Sequence, residues 1–206
     1  PDSRPGDYRD EATVAAFAKG CDVVTFDHEH VPQPVLHALE ADGVALRPPS
    51  SALIHAQDKL VMRQRLSTLG VPCPRCAEVR SVPDLVGFGD EAGWPVVLKT
   101  PVGGYDGKGV LLLEGRAQAE GAEVTGWFYR AAGAPLLAEE AVTFRRELAV
   151  LVARSPMGQA AAWPVVETVQ VDGVCREVVA PAPDLDRELA VRLVETGLRI
   201  AAALGV

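Results

Sequence analysis

The chain has 206 residues, of which 48% are hydrophobic and 23% are charged. This length and composition are typical of a globular protein with one large domain or two small ones. The formal net charge of -8 repels polyanions, so we expect no nucleic-acid partner. No apolar run approaches the roughly 20 residues of a membrane-spanning helix, and no basic-then-apolar signal opens the chain. We therefore expect a cytoplasmic protein with no membrane partner.

The first 50 residues alternate between helical and strand patterns, which is typical of an α/β domain. Apolar spacing predicts helices over residues 12–19 and 33–40 and short strands over residues 22–26 and 44–46. A nucleotide-binding domain of this type normally begins with a strand and a glycine-rich turn, whereas this sequence begins just before a helix. Residues 1–50 are therefore predicted to be a partial N-terminal domain.

The remaining residues predict a connecting segment and two further units. Residues 51–75 contain a predicted helix over residues 57–69, with Gly70 at its C-terminal cap. Residues 76–135 predict a small α+β unit whose buried strand over residues 95–100 leads through a loop to a return strand over residues 110–113. Residues 136–206 predict an antiparallel sheet and a helix over residues 184–204. The expected fold is a combination of α/β and α+β units, truncated at both ends.

The loop between residues 102 and 109 is the first candidate for a ligand-binding segment. Its glycines, at positions 103, 104, 107 and 109, would let backbone N–H groups lie against phosphate oxygens. Hairpin turns also use glycine, so the loop alone leaves phosphate binding and an ordinary turn both open. It matches neither GxxxxGK[ST] nor GxGxxG, which disfavours P-loop and dinucleotide-binding proteins.

Two lysines lie near this loop in the predicted structure. Lys99 ends the apolar strand, so its ammonium is well placed to enter a cleft beside the loop, although a snorkelling strand-end lysine is the alternative. Lys59 lies on the predicted helix before this unit, where most lysines are solvated. We expect Lys99 to be an unpaired cation that contributes little to folding stability.

Three carboxylates follow in the next predicted strands. Glu139 and Glu140 end a strand, and Glu147 lies eight residues after Glu139. Carboxylates accept hydrogen bonds from ribose hydroxyls, while backbone groups at a hinge between strands suit the edge of adenine. Glu147 could equally be a salt-bridged surface residue.

Two groups of metal-ligand residue types are weak candidates. The segment Asp27-His-Glu-His30 follows a strand, where alternation sends neighbouring side chains to opposite sides. Cys73 and Cys76 form one CxxC pair without a second pair. We expect no metal site at residues 27–30. We expect Cys73 and Cys76 to be reduced thiols without a chemical role, and a redox or metal-binding function is the alternative for them.

The run Leu98-Lys-Thr-Pro-Val-Gly-Gly-Tyr-Asp-Gly-Lys-Gly109 resembles the signature of the 5-(carboxyamino)imidazole ribonucleotide synthases, which belong to the ATP-grasp superfamily. Other blocks in the family's order are Asp22 to Pro32, Gln57 to Leu60, Glu139 to Val142, Arg146 to Leu148, Val152 to Ser155 and Trp163 to Glu167. The resemblance covers essentially the whole chain. It implies an ATP-grasp fold preceded by a partial Rossmann-like domain.

The resemblance also implies roles for individual residues. Lys59 and Lys99 would hold the phosphates of ATP, residues 104–110 would close over them as a lid, and residues 139–142 would contact adenine. Glu147 would bind the ribose, and Gln170 would line the nucleotide pocket. The complete implied nucleotide-binding set is Lys59, Lys99, Gly104, Tyr105, Asp106, Gly107, Lys108, Gly109, Val110, Glu139, Glu140, Ala141, Val142, Glu147 and Gln170.

Within the lid, the resemblance implies that Lys99, Asp106 and Lys108 are catalytic and that Tyr105 and Lys108 face the ribonucleotide substrate. Lys108 stands where many relatives have arginine, which keeps the charge but loses bidentate phosphate geometry. The family's amino-terminal GGGQLG-like turn and its later block of acidic magnesium ligands are absent from this sequence. The chain therefore supplies no metal ligands by motif, and the ligands of magnesium are expected in a missing C-terminal segment.

The reaction that the resemblance implies is a step of purine biosynthesis. Bicarbonate attacks ATP to form carboxyphosphate, and the amine of 5-aminoimidazole ribonucleotide then captures the carbon dioxide that carboxyphosphate carries. The implied cofactors are ATP and magnesium, and the implied assembly is a homodimer. Another ATP-grasp ligase, or a non-catalytic ATP-binding module, is the alternative. The Gly-Gly-Tyr-Asp-Gly run disfavours other ligases, and ATP binding without turnover would support the non-catalytic module.

Overall fold

The computed structural model describes residues 5–104 and 108–206. The N-terminal part contains α1 (Glu11–Ala18) and α2 (Gln33–Ala41), which pack on a core that includes Val24, Leu36 and Leu46. The strands predicted over residues 22–26 and 44–46 are reduced to one parallel bridge between Val24 and Leu46. Within the described residues, the two segments pair only with each other at this bridge, which is too little for a regular ladder.

Two helices lie in the connecting segment; the second corresponds to the helix predicted over residues 57–69, and the first was not predicted. They are α3 (Ser50–Gln57) and α4 (Lys59–Thr68), and the chain between them is extended at Asp58, with φ of -124°. The Asp58 carboxylate accepts hydrogen bonds from the amides of Leu60 at 2.8 Å and Val61 at 3.2 Å. An aspartate that caps these free amides starts a new helix, so α4 begins at Lys59.

A four-stranded antiparallel sheet forms the centre of the next part. Its strands are β1 (Cys76–Val79), β2 (Val96–Lys99), β3 (Val110–Leu113) and β4 (Leu136–Glu140), in the order β1-β4-β2-β3. The boundary predicted at residue 135 therefore separates β4 from β1 and β2, with which it pairs. Four consecutive buried residues of β4, at positions 136–139, fit this central position, in which β4 has a neighbouring strand on each side.

Helices cover one face of this sheet. They are α5 (Val82–Ala92), α6 (Arg116–Ala119) and α7 (Ala122–Ala131). Val96 and Leu98 of β2 belong to the buried core of this unit. Because neighbouring side chains in a strand point to opposite faces, Val97 and Lys99 lie on the other face. This alternation places the candidate lysine away from the hydrophobic core.

The last part contains a three-stranded sheet, a hairpin and a long helix. The sheet has the order β5-β8-β9, formed by β5 (Glu147–Ala149), β8 (Val166–Val171) and β9 (Val174–Val179). The hairpin joins β6 (Val152–Arg154) to β7 (Ala160–Ala162), and α8 (Arg187–Leu204) packs on it. The predicted antiparallel arrangement is confirmed, and its strands are divided between the three-stranded sheet and the hairpin. No helix in the described part of the chain is long and apolar enough to cross a membrane.

Candidate functional site

The face of the four-stranded sheet opposite α5 carries the candidate polar residues. Strand pairing aligns Glu139 with Val97, and Lys99 with Leu137 on one side and Val110 on the other. Residues aligned across antiparallel strands share a face, so Lys99 and Glu139 lie diagonally on this one. Leu112, two residues after Val110, is 50% exposed on the same face. The face thus combines an ionic pair with accessible apolar side chains.

Glu139 is a buried carboxylate that is held between two cations. It is 2% exposed, its Oε2 accepts a hydrogen bond from Lys99 Nζ, and its Oε1 accepts one from Arg63 Nε. The expectation that Lys99 is an unpaired cation is therefore wrong. Its partner lies 40 residues away in sequence, on a strand that the fold brings alongside β2.

Burial and the two cations have opposite effects on the pKa of Glu139. Burial is the largest influence and acts to raise the pKa of the carboxyl group. The hydrogen bonds donated by Arg63 and Lys99, together with their charges, outweigh burial and hold the pKa below its ordinary value. Glu139 is therefore ionised at neutral pH, and the cluster of three side chains carries one net positive charge.

The lowered pKa of Glu139 predicts a pH dependence of folding. A carboxylate whose pKa is depressed in the folded state adds stability above the unfolded-state pKa, about 4.3 for glutamate. That stability is lost as the pH falls through the folded-state pKa. Urea unfolding from pH 7 to pH 3 should show this loss in the parent protein and a smaller one in Glu139→Gln. An identical pH dependence in both proteins would contradict the proposed ionisation.

Lys59 is the first residue of α4, and its ammonium contacts the start of the glycine-rich loop. Its Nζ donates to the carbonyl oxygens of Thr100 at 3.1 Å, Pro101 at 3.4 Å and Gly103 at 2.7 Å. The Lys59 amide also donates to Pro101 O at 3.0 Å. Burial and then the nearby charge of Lys99 lower the pKa of the Lys59 ammonium. The two lysines are thus close enough to repel each other, which favours an anion between them.

The two arms of the glycine-rich loop approach each other at Gly104 and Gly109. Both have positive φ, +72° and +75°, which non-glycine residues rarely adopt. A Cβ on Gly104 would lie 2.6 Å from Lys108 O, and one on Gly109 would lie 2.5 Å from Thr100 Oγ1. These glycines are therefore required by both conformation and close packing. A cavity of about 600 Å³ lies beside this loop, lined in part by Thr100, Gly109 and Trp127.

The other predicted site residues fall in different places. Glu140 pairs with Arg75 at 3.1 Å, and Val142 is exposed. Glu147 lies on β5 and the exposed Gln170 on β8, so both belong to the three-stranded sheet rather than to the sheet of Lys99. Lys108 is exposed near the loop's return arm. The predicted residues Tyr105, Asp106 and Gly107 lie outside the described residues.

Arg63 was not among the residues predicted from the sequence. It lies on α4, four residues after Lys59, so both side chains lie on one face of that helix. This spacing is a local signal that could have placed a second cation beside Lys59. The contact with Glu139 joins residues 76 positions apart and required the folded structure.

Within the described part of the chain, no group of three or more histidine, cysteine, aspartate or glutamate side chains is placed to hold a metal ion. Cys73 and Cys76 are free thiols. Burial and the neighbouring Glu139 raise the pKa of the Cys76 thiol, which reduces its thiolate fraction at neutral pH. This environment does not favour a reactive cysteine.

Comparison with known proteins identifies two matching family models. The model of the ATP-grasp domain matches residues 64–206, and the model of the ribonucleotide synthetase preATP-grasp domain matches residues 2–57. The N5-carboxyaminoimidazole ribonucleotide synthase of Mycobacterium tuberculosis H37Rv is 48% identical over 204 residues, which are 98% of this chain and 46% of that protein.

Solved structures of such synthases are also similar. The enzyme of Thermus thermophilus has a TM-score of 0.84 and 32% identity, with coverage of 97% of this chain and 52% of that one. The Aspergillus clavatus enzyme, in complex with ADP and 5-aminoimidazole ribonucleotide, has a TM-score of 0.83 and 26% identity, with coverage of 96% and 50%. The chain therefore spans about half the length of the relatives that it matches.

Proposed function

We propose that this chain, which belongs to the ATP-grasp family, is the ATP-binding part of an enzyme that carboxylates the amine of 5-aminoimidazole ribonucleotide with bicarbonate. The observation that carries the proposal is the pairing of Lys99 and Arg63 with a single carboxylate, together with Lys59 on the backbone of the glycine-rich loop, whose Gly104 and Gly109 leave no room for a side chain. The chain as a whole is acidic, with a net charge of -8, so this local excess of cations favours a bound polyphosphate.

The proposed site implies an orientation for ATP on this face. Its phosphates would meet Lys99, Lys59 and the backbone of the glycine-rich loop, and its adenine would lie over the accessible side chains of Val110 and Leu112. The backbone of residues 139–142 would contact the edge of the base. The amides of Glu140 and Ala141 already donate to Arg75 O at 2.9 Å and Pro95 O at 3.2 Å, so the base would use other groups of this segment, such as the exposed Val142.

The remaining residue assignments belong to the same proposal. Glu147 and Gln170 would bind the nucleotide from the three-stranded sheet, which then forms the opposite wall of the cleft. Asp106 and Lys108 would assist transfer of the phosphoryl group, and Tyr105 and Lys108 would contact the ribonucleotide. Phosphoryl transfer needs positioned charges more than covalent chemistry by the protein. Lysines, carboxylates and a glycine-rich lid that excludes water are therefore sufficient for such a site.

Magnesium would accompany ATP, but the described residues do not provide its ligands. Both oxygens of Glu139 are already occupied by Lys99 and Arg63, so this carboxylate fits an ionic pair better than a metal. We place the magnesium ligands in another segment of the longer enzyme. A homodimer and a cytoplasmic location complete the proposal, on the basis of the family resemblance.

A non-catalytic ATP-binding module is the second candidate function. The observation that favours it is the absence of a group of three metal-ligating side chains from the part of the chain that the structure describes. Both candidates predict ATP binding. An assay of phosphate release with ATP, bicarbonate and 5-aminoimidazole ribonucleotide separates them in the longer protein, because only the enzyme turns ATP over.

ATP binding can be tested at Gly109, a loop glycine whose positive φ and close contacts disfavour any side chain. Gly109→Ala should weaken ATP binding by about tenfold or more, since its Cβ would strain a positive φ and push the two arms of the loop apart. Gly87→Ala is the matched control, because a Cβ at that position in α5 meets no atom within 4 Å. Titration calorimetry with ATP and magnesium gives the affinities, and circular dichroism checks the fold. A parent chain that does not bind ATP, or equal affinities in all three proteins, would overturn the proposal.

A further inference from the structure

We infer that Arg63 is a positioning residue that keeps Glu139 charge-compensated when Lys99 turns from this carboxylate to a phosphate group of the nucleotide. The inference rests on the proposed function, because it assumes that Lys99 binds a phosphate. It assigns a role to a helix residue that does not itself contact the ligand. The role follows from how the three side chains share one buried carboxylate.

Each oxygen of Glu139 has its own cation. Lys99 binds Oε2 from the neighbouring strand β2, and Arg63 binds Oε1 from helix α4. The two cations therefore do not compete for the same oxygen. Lys99 can leave while Arg63 remains in place, and the contact of Arg63 does not depend on the position of β2.

The departure of Lys99 would otherwise be unfavourable. Glu139 is 2% exposed, and a buried carboxylate without a partner is strongly destabilising. A phosphate that attracts Lys99 must therefore compete with Glu139 for the same ammonium group. With Arg63 in place, the carboxylate remains paired after Lys99 moves, so the phosphate gains the lysine at a smaller cost.

The other nearby cation is less suited to this role. Lys59 already donates to three carbonyl oxygens of the loop, which hold its ammonium at the opposite side of the cluster. Arg63 carries a guanidinium that stays protonated, and its bond with Glu139 raises its pKa further although burial opposes this. Arg63 therefore compensates the carboxylate wherever Glu139 is ionised.

The first experiment follows the ionisation of Glu139 without any ligand. Carboxyl chemical shifts are titrated by NMR in the parent, Lys99→Met, Arg63→Met and the double variant. Lys99→Met mimics the departure of the lysine, so Glu139 should stay ionised at neutral pH in this variant. The double variant should show a pKa of Glu139 clearly above that in Lys99→Met, because neither cation then opposes the effect of burial. Equal pKa values in these two variants would overturn the inference.

A matched control accompanies this titration. Arg75→Met removes the partner of the neighbouring Glu140, an ion pair that is exposed at the surface. It should leave the titration of Glu139 unchanged. If it shifts that titration as strongly as Arg63→Met does, the effect reflects general surface charge, and the specific role of Arg63 is wrong.

The second experiment is a double-mutant cycle in which the ATP affinities of Arg63→Met, Glu139→Gln and the double variant are compared with that of the parent. Arg63→Met alone should weaken ATP binding at least tenfold, about 1.4 kcal/mol, because Lys99 is then the only partner of Glu139. In the Glu139→Gln background there is no carboxylate to compensate, so Arg63→Met should change affinity less than about twofold. Arg63→Lys should restore most of the parent affinity. Equal losses in both backgrounds would show direct contact of Arg63 with the nucleotide and overturn the inference.

The two experiments separate the inference from the proposed function. A parent chain that fails to bind ATP would contradict the function, while the NMR titration would still test the compensation of Glu139 by Arg63. Thermal melts identify any variant that does not fold. Should Arg63→Met be unfolded, Arg63→Gln replaces it in both experiments, with the same expected directions.

Discussion

Lys99→Met should weaken ATP binding by about 10- to 150-fold. A charge-assisted hydrogen bond from the ammonium to a phosphate in a partly desolvated cleft contributes roughly 1.5 to 3 kcal/mol, and each 1.4 kcal/mol is a factor of ten. Methionine keeps most of the apolar stem of the lysine side chain, so the substitution removes mainly the charge. Titration calorimetry with ATP measures the effect.

The same substitution should also affect folding, because the structure pairs Lys99 with buried Glu139. We expect a loss of about 1.5 to 3 kcal/mol in the free energy of unfolding, the range for a hydrogen bond to a charged group. Arg63 still holds the other carboxylate oxygen, which limits the loss. Urea unfolding of the ligand-free variant measures it. If Lys99→Met binds ATP as tightly as the parent, Lys99 has a structural role only and the proposed phosphate site is wrong.

Much of the local structure could be predicted from the sequence because it depends on short-range patterns. The apolar run before Lys99 predicted a buried strand over residues 95–100, and the structure forms β2 over Val96–Lys99. The start of α5 is equally local, because the Ser81 hydroxyl caps the helix by accepting from the Asp84 amide at 3.2 Å and Pro83 lies in its first turn. In both places, the residues that determine the structure are neighbours in sequence.

Predictions failed where distant residues determine the structure. Helix α3 was not predicted, and Asp58, which separates it from α4, forms an isolated antiparallel bridge to Val102, 44 positions later. β4 joins β1 and β2 because its buried residues need a position at the centre of a sheet. Periodicity identifies a strand but not its partners, so the predicted boundary at residue 135 separated β4 from the sheet to which it belongs.

The candidate site likewise combines a local sequence motif with contacts between residues that are distant in sequence. The motif around Lys99 and the glycines is local, and the structure gives physical reasons for Gly104 and Gly109. The ionic cluster is not local, since Glu139 lies 76 positions from Arg63 and 40 from Lys99. The sequence therefore indicated which residues carry the chemistry, whereas the pairing of Lys99 and the contribution of Arg63 required the fold.

Leu98→Ala should destabilise the fold without weakening ATP binding, unlike Lys99→Met at the adjacent position. Leu98 is 0% exposed and points into the core beneath α5, so its truncation leaves a cavity. We expect a loss of about 2 to 5 kcal/mol in the free energy of unfolding, with the ATP affinity of the folded protein nearly unchanged. Urea unfolding and calorimetry at a temperature where the variant is folded measure the two quantities.

Leu112→Ala is the matched control for Leu98→Ala, because it makes the same chemical change on the opposite face of the same sheet, where Leu112 is 50% exposed. It should cost less than about 1 kcal/mol in folding free energy, since much of its side chain already contacts water. If the proposed adenine contact is correct, it should weaken ATP binding instead. Equal destabilisation by Leu98→Ala and Leu112→Ala would mean that the two faces of the sheet are equally buried. In that case, the open face could not be the nucleotide site.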